Sequence, residues 1–247
     1  NNWRFGDGQL VILGDIMGRG PHVTDLLWLF YQLEQQASLT NGAVHLMLGN
    51  HESLVFQGDE RYVHERYAQS TKALSLSYQQ LFDQSSVLGR WLREQPVLLK
   101  LQDVLFVHAG VSEALFEQQL SIAQINQLFQ QNWHLTKKQR EQDPQLKLLF
   151  GRQGPLWYRG YFSASEKPSQ QFIDKVLATY QVQKIVVGHT SFDQIYSHYQ
   201  QKVFAIDSSI KKGKRGEILL IRQGQLYRGD VEGKQLPISP YSGQLDE

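Results

Sequence analysis

The sequence predicts a mixed α/β fold with a sheet-rich core, and three observations predict it. Strand-like and helix-like stretches alternate through the first part of the chain, and short hairpin-like strands crowd its last quarter. Four apolar runs stop at a glycine-flanked polar residue, as strands do where an α/β protein builds a site at a sheet's carboxyl edge. With 247 residues, 41% of them hydrophobic, the chain can bury a real core in one large domain or two small ones.

In order, residues 10–13 (LVIL) form a buried strand that ends at Gly14-Asp15, followed by the glycine turn carrying Arg19. Residues 22–37 read as a helix with Val23, Leu26, Leu27, Phe30 and Leu33 on one face, broken by Asn41-Gly42. AVHLML (43–48) is a short buried strand running into Gly49-Asn50-His51-Glu52. Residues 53–80 are polar, aromatic and mostly helical in pattern; a helix over about 80–94 ends before Pro96. Two strands over 97–107 meet at Gln102-Asp103, and the second ends at His108-Ala109-Gly110. The Gln-rich stretch 112–147 reads as helical, with an exposed loop near Asp143-Pro144. GRQGPLWYRGY (151–161) is followed by a helix over about 168–181, and strand KIVV leads into Gly188-His189-Thr190. The strands QIYSHY, KVFAID, EILLIR and QLYRG close the chain, the last two about a Gln223-Gly224 turn. No composition shift marks a boundary, so residues 1–232 are expected to form one domain, followed by a loosely held tail over 233–247.

Composition excludes several classes. A net charge of +1 gives no support to a nucleic-acid partner, which calls for a basic excess. Without cysteine there is no disulfide, thiolate metal site or cysteine nucleophile, and both cytoplasm and periplasm stay open. No stretch approaches the roughly 18 apolar residues of a membrane span, so a soluble protein is expected. The chain opens without Met and almost directly on a strand, from which an upstream segment is expected.

The four strand ends carry Asp15, Asn50, His108 and His189, each with a glycine adjacent or two residues on (Gly14, Gly49, Gly110, Gly188). A single strand-end histidine is ordinarily a hydrogen-bonded core residue. Four oxygen or imidazole donors repeated on four strand ends are a ligand set. With no thiolate among them they suit Mn, Fe or Zn in a catalytic site.

GDIMGRG, GNHE, VHAGV and VVGHT, in that order, resemble the successive motifs of the calcineurin-like metallophosphoesterases. GNHESLVFQGDERYVHERY and GPLWYRGY further resemble the bacterial-type phosphoprotein phosphatases called Shewanella-like protein phosphatases. The likeness runs from about residue 9 to 210. It implies a two-layer β-sandwich flanked by helices, with two divalent metal ions at one edge. Asp15 would bridge them, and Asn50, His108 and His189 would complete the second ion's shell. His51 would be the general acid at the leaving oxygen; Arg19, Asn50 and Arg159 would bind phosphate, a role that suits the planar guanidinium. Glu52 would support the site structurally. Asp59, Arg61 and Tyr62 match the family string without a chemical reason of their own.

Two departures stand out. The family opens with a GD-x-H-G strand some 25–35 residues before the bridging Asp, and its Asp and His bind the first metal; only fourteen residues precede Asp15 here. The first strand and first-metal ligands are therefore expected from an upstream segment. The other departure is Gly18, where most relatives carry an Asp that hydrogen-bonds the GNHE histidine, so His51 should be a less well oriented acid. The resemblance implies a phosphomonoesterase acting on phosphoprotein (Ser/Thr or Tyr) or small phosphoesters. A small residue at position 18 also suits diadenosine or nucleotide polyphosphate hydrolases, and the absent first motif raises a binding-only phosphatase fold as a third reading.

Overall fold

A computed structural model describes residues 2–213, 215–241 and 243. The chain runs β1 (Gln9–Ile12), α1 (Val23–Ser38), β2 (Ala43–Leu46), α2 (Asn50–Phe56), α3 (Glu65–Leu74) and α4 (Val87–Glu94). Then come β3 (Leu98–Leu101), β4 (Val104–Val107), α5 (Glu113–Phe116), α6 (Ile122–Asn132), α7 (Lys137–Arg140), α8 (Pro144–Leu149) and α9 (Gln170–Tyr180). Strands close it: β5 (Lys184–Val187), β6 (Tyr196–His198), β7 (Val203–Ala205), β8 (Glu217–Arg222), β9 (Gln225–Asp230), β10 (Gln235–Leu236) and β11 (Ser239–Pro240). The fold is the mixed α/β class that the alternation predicts.

Backbone contacts divide the chain into two compact units. One holds the residues through Val97 with Ala123–Lys147; the other holds Leu98–Ile122 and the chain from Leu148 onward. Two of the crossings fall inside α6 and α8, so no linker-like composition announces them.

In the first unit β1 and β2 pair in parallel, Gln9 opposite Ala43 and Ile12 opposite Leu46. Both chains therefore leave this pair in the same direction. Helix α1 buries Val23 and Leu27, and the residues just past β2 (Met47, Leu48) are fully buried. The helix expected over 80–94 is a 3₁₀ turn over Gln79–Phe82 and then α4. Asp83 turns the chain by accepting from the Ser85 amide, and Ser86 starts α4 by accepting from Gly89 N at 2.9 Å. Residues 57–64, expected within a mostly helical stretch, form a loop between α2 and α3.

The second unit contains a six-stranded sheet in the order β11-β6-β7-β5-β4-β3 and an antiparallel sheet β10-β9-β8. Its centre is parallel: Val107 of β4 lies opposite Val187 of β5, and β5 pairs with β7. VLFV and KIVV read as continuous apolar runs because both faces of these strands are covered. The 112–147 stretch breaks into four short helices rather than the longer ones its pattern suggests. Gln119 takes φ 52° between α5 and α6, Thr136 caps α7, and the Asp143 carboxylate accepts from Gln145 N and Leu146 N. The exposed loop expected near Asp143-Pro144 is the exposed turn over 141–143, and Pro144 is the first residue of α8, a position where its missing N–H costs nothing.

Beyond residue 233 the chain, expected to be loosely held, is tied at several points. Leu236 pairs with Arg228, Pro240 with Ser197, and Tyr241 N donates to Ser197 O; Ser242 and residues 244–247 lie outside the described residues. Tyr241 packs on Phe162, Phe192 and His198. Among the described residues His198 Nε2 has no hydrogen-bond partner. Burial, reinforced by Lys167, pushes the His198 pKa down to about 4. Because the folded ring resists a proton that the unfolded chain takes up near pH 6.5, stability is lost as pH falls from 6.5 toward 4 and changes no further below it. Urea unfolding between pH 4 and 7 should show a shallower slope for His198→Gln than for the parent; equal slopes would contradict this account.

Candidate active site

The parallel register of β1 and β2 brings the loops after them together within the first unit. Gly14 (φ +84°) lies so close to Gly49 N that a Cβ would overlap it, which makes glycine obligatory there. Glu52 joins the loops. Its carboxylate accepts from Gly49 N at 2.7 Å, Asp15 N at 2.8 Å and Met17 N at 2.8 Å. At 1% exposed, Glu52 has its pKa pushed up by burial and by the neighbouring Asp15 carboxylate, and pulled back by the three amides. Asp15 is itself exposed, with φ 57°. Its Oδ1 accepts from His51 N at 3.1 Å, so the first loop is also tied to the start of α2. Asn50 and His51 are buried on the first turn of that helix.

His51 is held on its edge and its face. Arg19 Nη1 lies 3.1 Å from His51 Nε2, and because a guanidinium only donates, Nε2 is the acceptor in this arrangement. The Tyr62 ring stacks on the imidazole with centroids 4.8 Å apart and planes 27° from parallel, and the Arg19 guanidinium sits 4.4 Å from the same Tyr62 centroid. The expectation of a poorly oriented His51 therefore needs correction: the absent carboxylate at position 18 does not leave the ring loose. Gly18 has φ +109°, and a Cβ there would fall 2.5 Å from His51 Nδ1. The space an Asp would need is taken by the ring.

In the second unit the neighbouring parallel strands β4 and β5 deliver two histidines. His108 directly follows β4, His189 follows β5 after Gly188, and Gly188 N donates to His108 O at 2.8 Å. Both imidazoles are buried, with centroids 5.1 Å apart. His189 has φ 64°, in the left-handed region like Asp15. Such residues cost about 1–3 kcal/mol each and persist where their surroundings fix them. Arg159 is exposed, and its Nη1 donates to His189 O at 3.2 Å and Thr190 Oγ1 at 3.4 Å. The 151–161 loop clamps the chain after His108: Ala109 N donates to Pro155 O, Ser112 Oγ to Gln153 O, and the Tyr161 hydroxyl both donates to Val111 O and accepts from Val111 N. Tyr161 is fully buried, and burial pushes the Tyr158 pKa up to about 12. The aromatic residues of GPLWYRGY are thus mainly core, while Trp157 meets the His189 ring edge-on at 6.0 Å.

The donors fit divalent ions. One unit offers an exposed carboxylate and a buried amide side chain; the other offers two adjacent buried imidazoles, the nitrogen-and-oxygen chemistry of Mn, Fe and Zn. A model of the calcineurin-like phosphoesterases matches residues 5–191. The chain belongs to that family. This phosphoesterase is similar to a solved cold-active protein-tyrosine phosphatase of a psychrophilic Shewanella species: 42% identity over 95% of this chain and 70% of that one, with a TM-score of 0.91. It is also similar to Shewanella-like protein phosphatase 1 of Plasmodium berghei (27% identity, 92% of this chain, 62% of that one) and to an uncharacterised Schizosaccharomyces pombe protein (28%, 94% and 73%). The phosphoesterase is a hydrolase of the phosphatase type, and its family implies divalent metal ions. Among the described residues no helix is long and apolar enough to cross a membrane.

Within the first unit the structure gathers Asp15, Arg19, Asn50 and His51; within the second it gathers His108, Arg159 and His189. Sequence reasoning gave Glu52 a supporting role and Tyr62 none. Tyr62 carried no signal beyond its place in the RYVH string, because its contact with His51 depends on how residues 57–64 loop back. Removing the Glu52 carboxylate strands three amides from two loops. Glu52→Ala should lower unfolding stability by about 3 kcal/mol, measured by urea denaturation; a loss no larger than that of an exposed Glu would contradict the clasp.

Proposed function

We propose that this phosphoesterase is a metal-dependent phosphomonoesterase that hydrolyses phosphoproteins, phosphotyrosine included, and small phosphoesters. The observation that carries the reading is the pair of adjacent buried imidazoles, His108 and His189, on neighbouring strand ends. The first unit adds a carboxylate, an amide, an imidazole and a guanidinium on two bonded loops. The printed names of the Shewanella and Plasmodium relatives support the phosphoprotein substrate.

Asp15 and Asn50 in the first unit, and His108 and His189 in the second, would each offer a ligand to divalent ions (Mn, Fe or Zn). When bound, such ions supply a water acidic enough to act as hydroxide near neutrality and positive charge against the phosphoryl oxygens. The protein's own groups do the rest. Arg19 and Arg159 offer forked N–H donors to the phosphate, and the Asn50 amide adds another. His51, beside Arg19, gives a proton to the departing ester oxygen, which a phosphoserine or phosphotyrosine leaving group needs. A polyphosphate substrate draws its appeal from a poorly held acid, and Arg19 and Tyr62 hold His51 at edge and face.

The test joins elemental analysis of the purified protein to turnover of p-nitrophenyl phosphate. Asn50→Ala and His108→Ala should each lower metal content and reduce kcat/KM by more than about a hundredfold, the upper end for losing a mere outer partner of a metal ligand. Unchanged turnover would overturn the assignment, and bound phosphate without turnover in the parent would favour the binding-only reading.

A further inference from the structure

We propose that Tyr62 is the positioning residue for His51, doing through its ring face what a carboxylate at position 18 does not do here; this rests on His51 being the general acid. A 3.1 Å contact between Arg19 Nη1 and His51 Nε2 places both groups on one face of Tyr62, since groups on opposite faces would be too far apart to meet. The guanidinium and the imidazole thus share a single aromatic platform.

The platform is itself fixed. Asp59 N donates to Leu54 O, the Arg61 guanidinium forks onto the Asp59 carboxylate at 2.9 and 2.6 Å, and Val63 N donates to Glu60 O. Glu60 in turn accepts from Tyr78 N at 2.8 Å. These bonds fold residues 57–64 back over the first turn of α2, so that Tyr62 lines one small hollow with Gly18, His51, Leu54 and Val55. Gly18 is what lets the stack form. Its missing side chain leaves Nδ1 of His51 room, and Tyr62 Cβ would lie 3.4 Å from any Cβ at that position.

The division of labour has a consequence for turnover. Arg19 must turn toward the phosphate when substrate binds, which withdraws the edge contact from His51. The Tyr62 face does not move with it, and it keeps the imidazole in place while the leaving oxygen departs. A ring held this way matters in proportion to how much the leaving group needs a proton. Phenolate needs one more than p-nitrophenolate.

Tyr62→Leu and Tyr62→Phe in the purified, metal-loaded protein test the role with phenyl phosphate and p-nitrophenyl phosphate. For Tyr62→Leu, kcat on phenyl phosphate should fall about tenfold or more, kcat on p-nitrophenyl phosphate less than about threefold, and KM should barely change. Tyr62→Phe should rescue both, because the stack uses the ring and not the hydroxyl. Equal losses on the two esters, or a Phe variant as poor as the Leu variant, would overturn the proposal. The His51 ring-proton NMR shifts provide a readout independent of turnover: they should lie upfield in the parent and the Phe variant and move downfield in the Leu variant. Shifts unaffected by Tyr62→Leu would overturn the stack even in an active enzyme. An inactive parent with those upfield shifts would instead sink the phosphatase reading and leave the stack standing.

Discussion

The first unit's site depends on one buried carboxylate. Glu52 takes three backbone N–H groups, one from the loop after β2 and two from the loop after β1. Each of those amides would otherwise be a buried donor without a partner, at about 1–3 kcal/mol apiece. A buried carboxylate is itself expensive, and the amides are what make it tolerable. The two requirements solve each other, and the solution fixes Asp15 in a left-handed backbone conformation that Gly14 and Asp15 would not both adopt unaided. The residue whose carboxylate is proposed to reach a metal is therefore held through its own N–H, while its Oδ1 takes the His51 amide. Alanine at 52 would not touch that carboxylate directly. It would remove what decides where the carboxylate points.

The second unit meets the same need with a different device. The 151–161 loop braces the chain after His108, through bonds from Ala109, Ser112 and Val111 to Pro155, Gln153 and the Tyr161 hydroxyl. Tyr161 is fully buried yet satisfied at both its donor and acceptor positions, which lets a polar tip sit in the core without penalty. The loop that carries Tyr161 also carries Arg159, whose guanidinium rests on the His189 carbonyl. One loop thus fixes the strand end that bears His108 and sets a guanidinium beside the strand end that bears His189.

What was legible in the sequence follows from which interactions are local. Strand ends announce themselves, because an apolar run that stops at glycine marks both the element and its exit; Asp15, Asn50, His108 and His189 were found that way. Helices α1 and α9 were legible from their 3.6-residue stripes, and β3 and β4 from the turn at Gln102, which adopts φ 51°. The stretch 112–147 was not, since Ser, Thr and Asp caps break helices at single residues that a periodicity count averages away. The division into two units was also hidden, as two of its three crossings lie within α6 and α8 and the third at the start of β3. Glu52 was placed only loosely because its partners lie 35 and 37 residues away. Tyr62 was missed outright: its stack on His51 arises from a loop closed by Asp59, Arg61 and Glu60, and no spacing rule predicts which ring such a loop returns to the site.

Gly18 shows why a departure from a motif has to be read with its surroundings. Taken alone, glycine in place of a carboxylate is a missing hydrogen-bond acceptor, and it argues for a weaker or altered chemistry. In the structure that glycine is the condition for another arrangement, because any side chain there would displace the imidazole or strain a backbone already at φ +109°. An acceptor on the ring edge has been exchanged for an aromatic face and a guanidinium. The two designs differ in what they fix. A carboxylate fixes one nitrogen by a directional bond and brings a negative charge toward the phosphate. A ring face fixes the imidazole plane, leaves Nδ1 with no anion at position 18, and adds no charge to repel a dianionic ester. Beside Arg19, a cation proposed to meet that ester, an uncharged support is the arrangement that does not work against it.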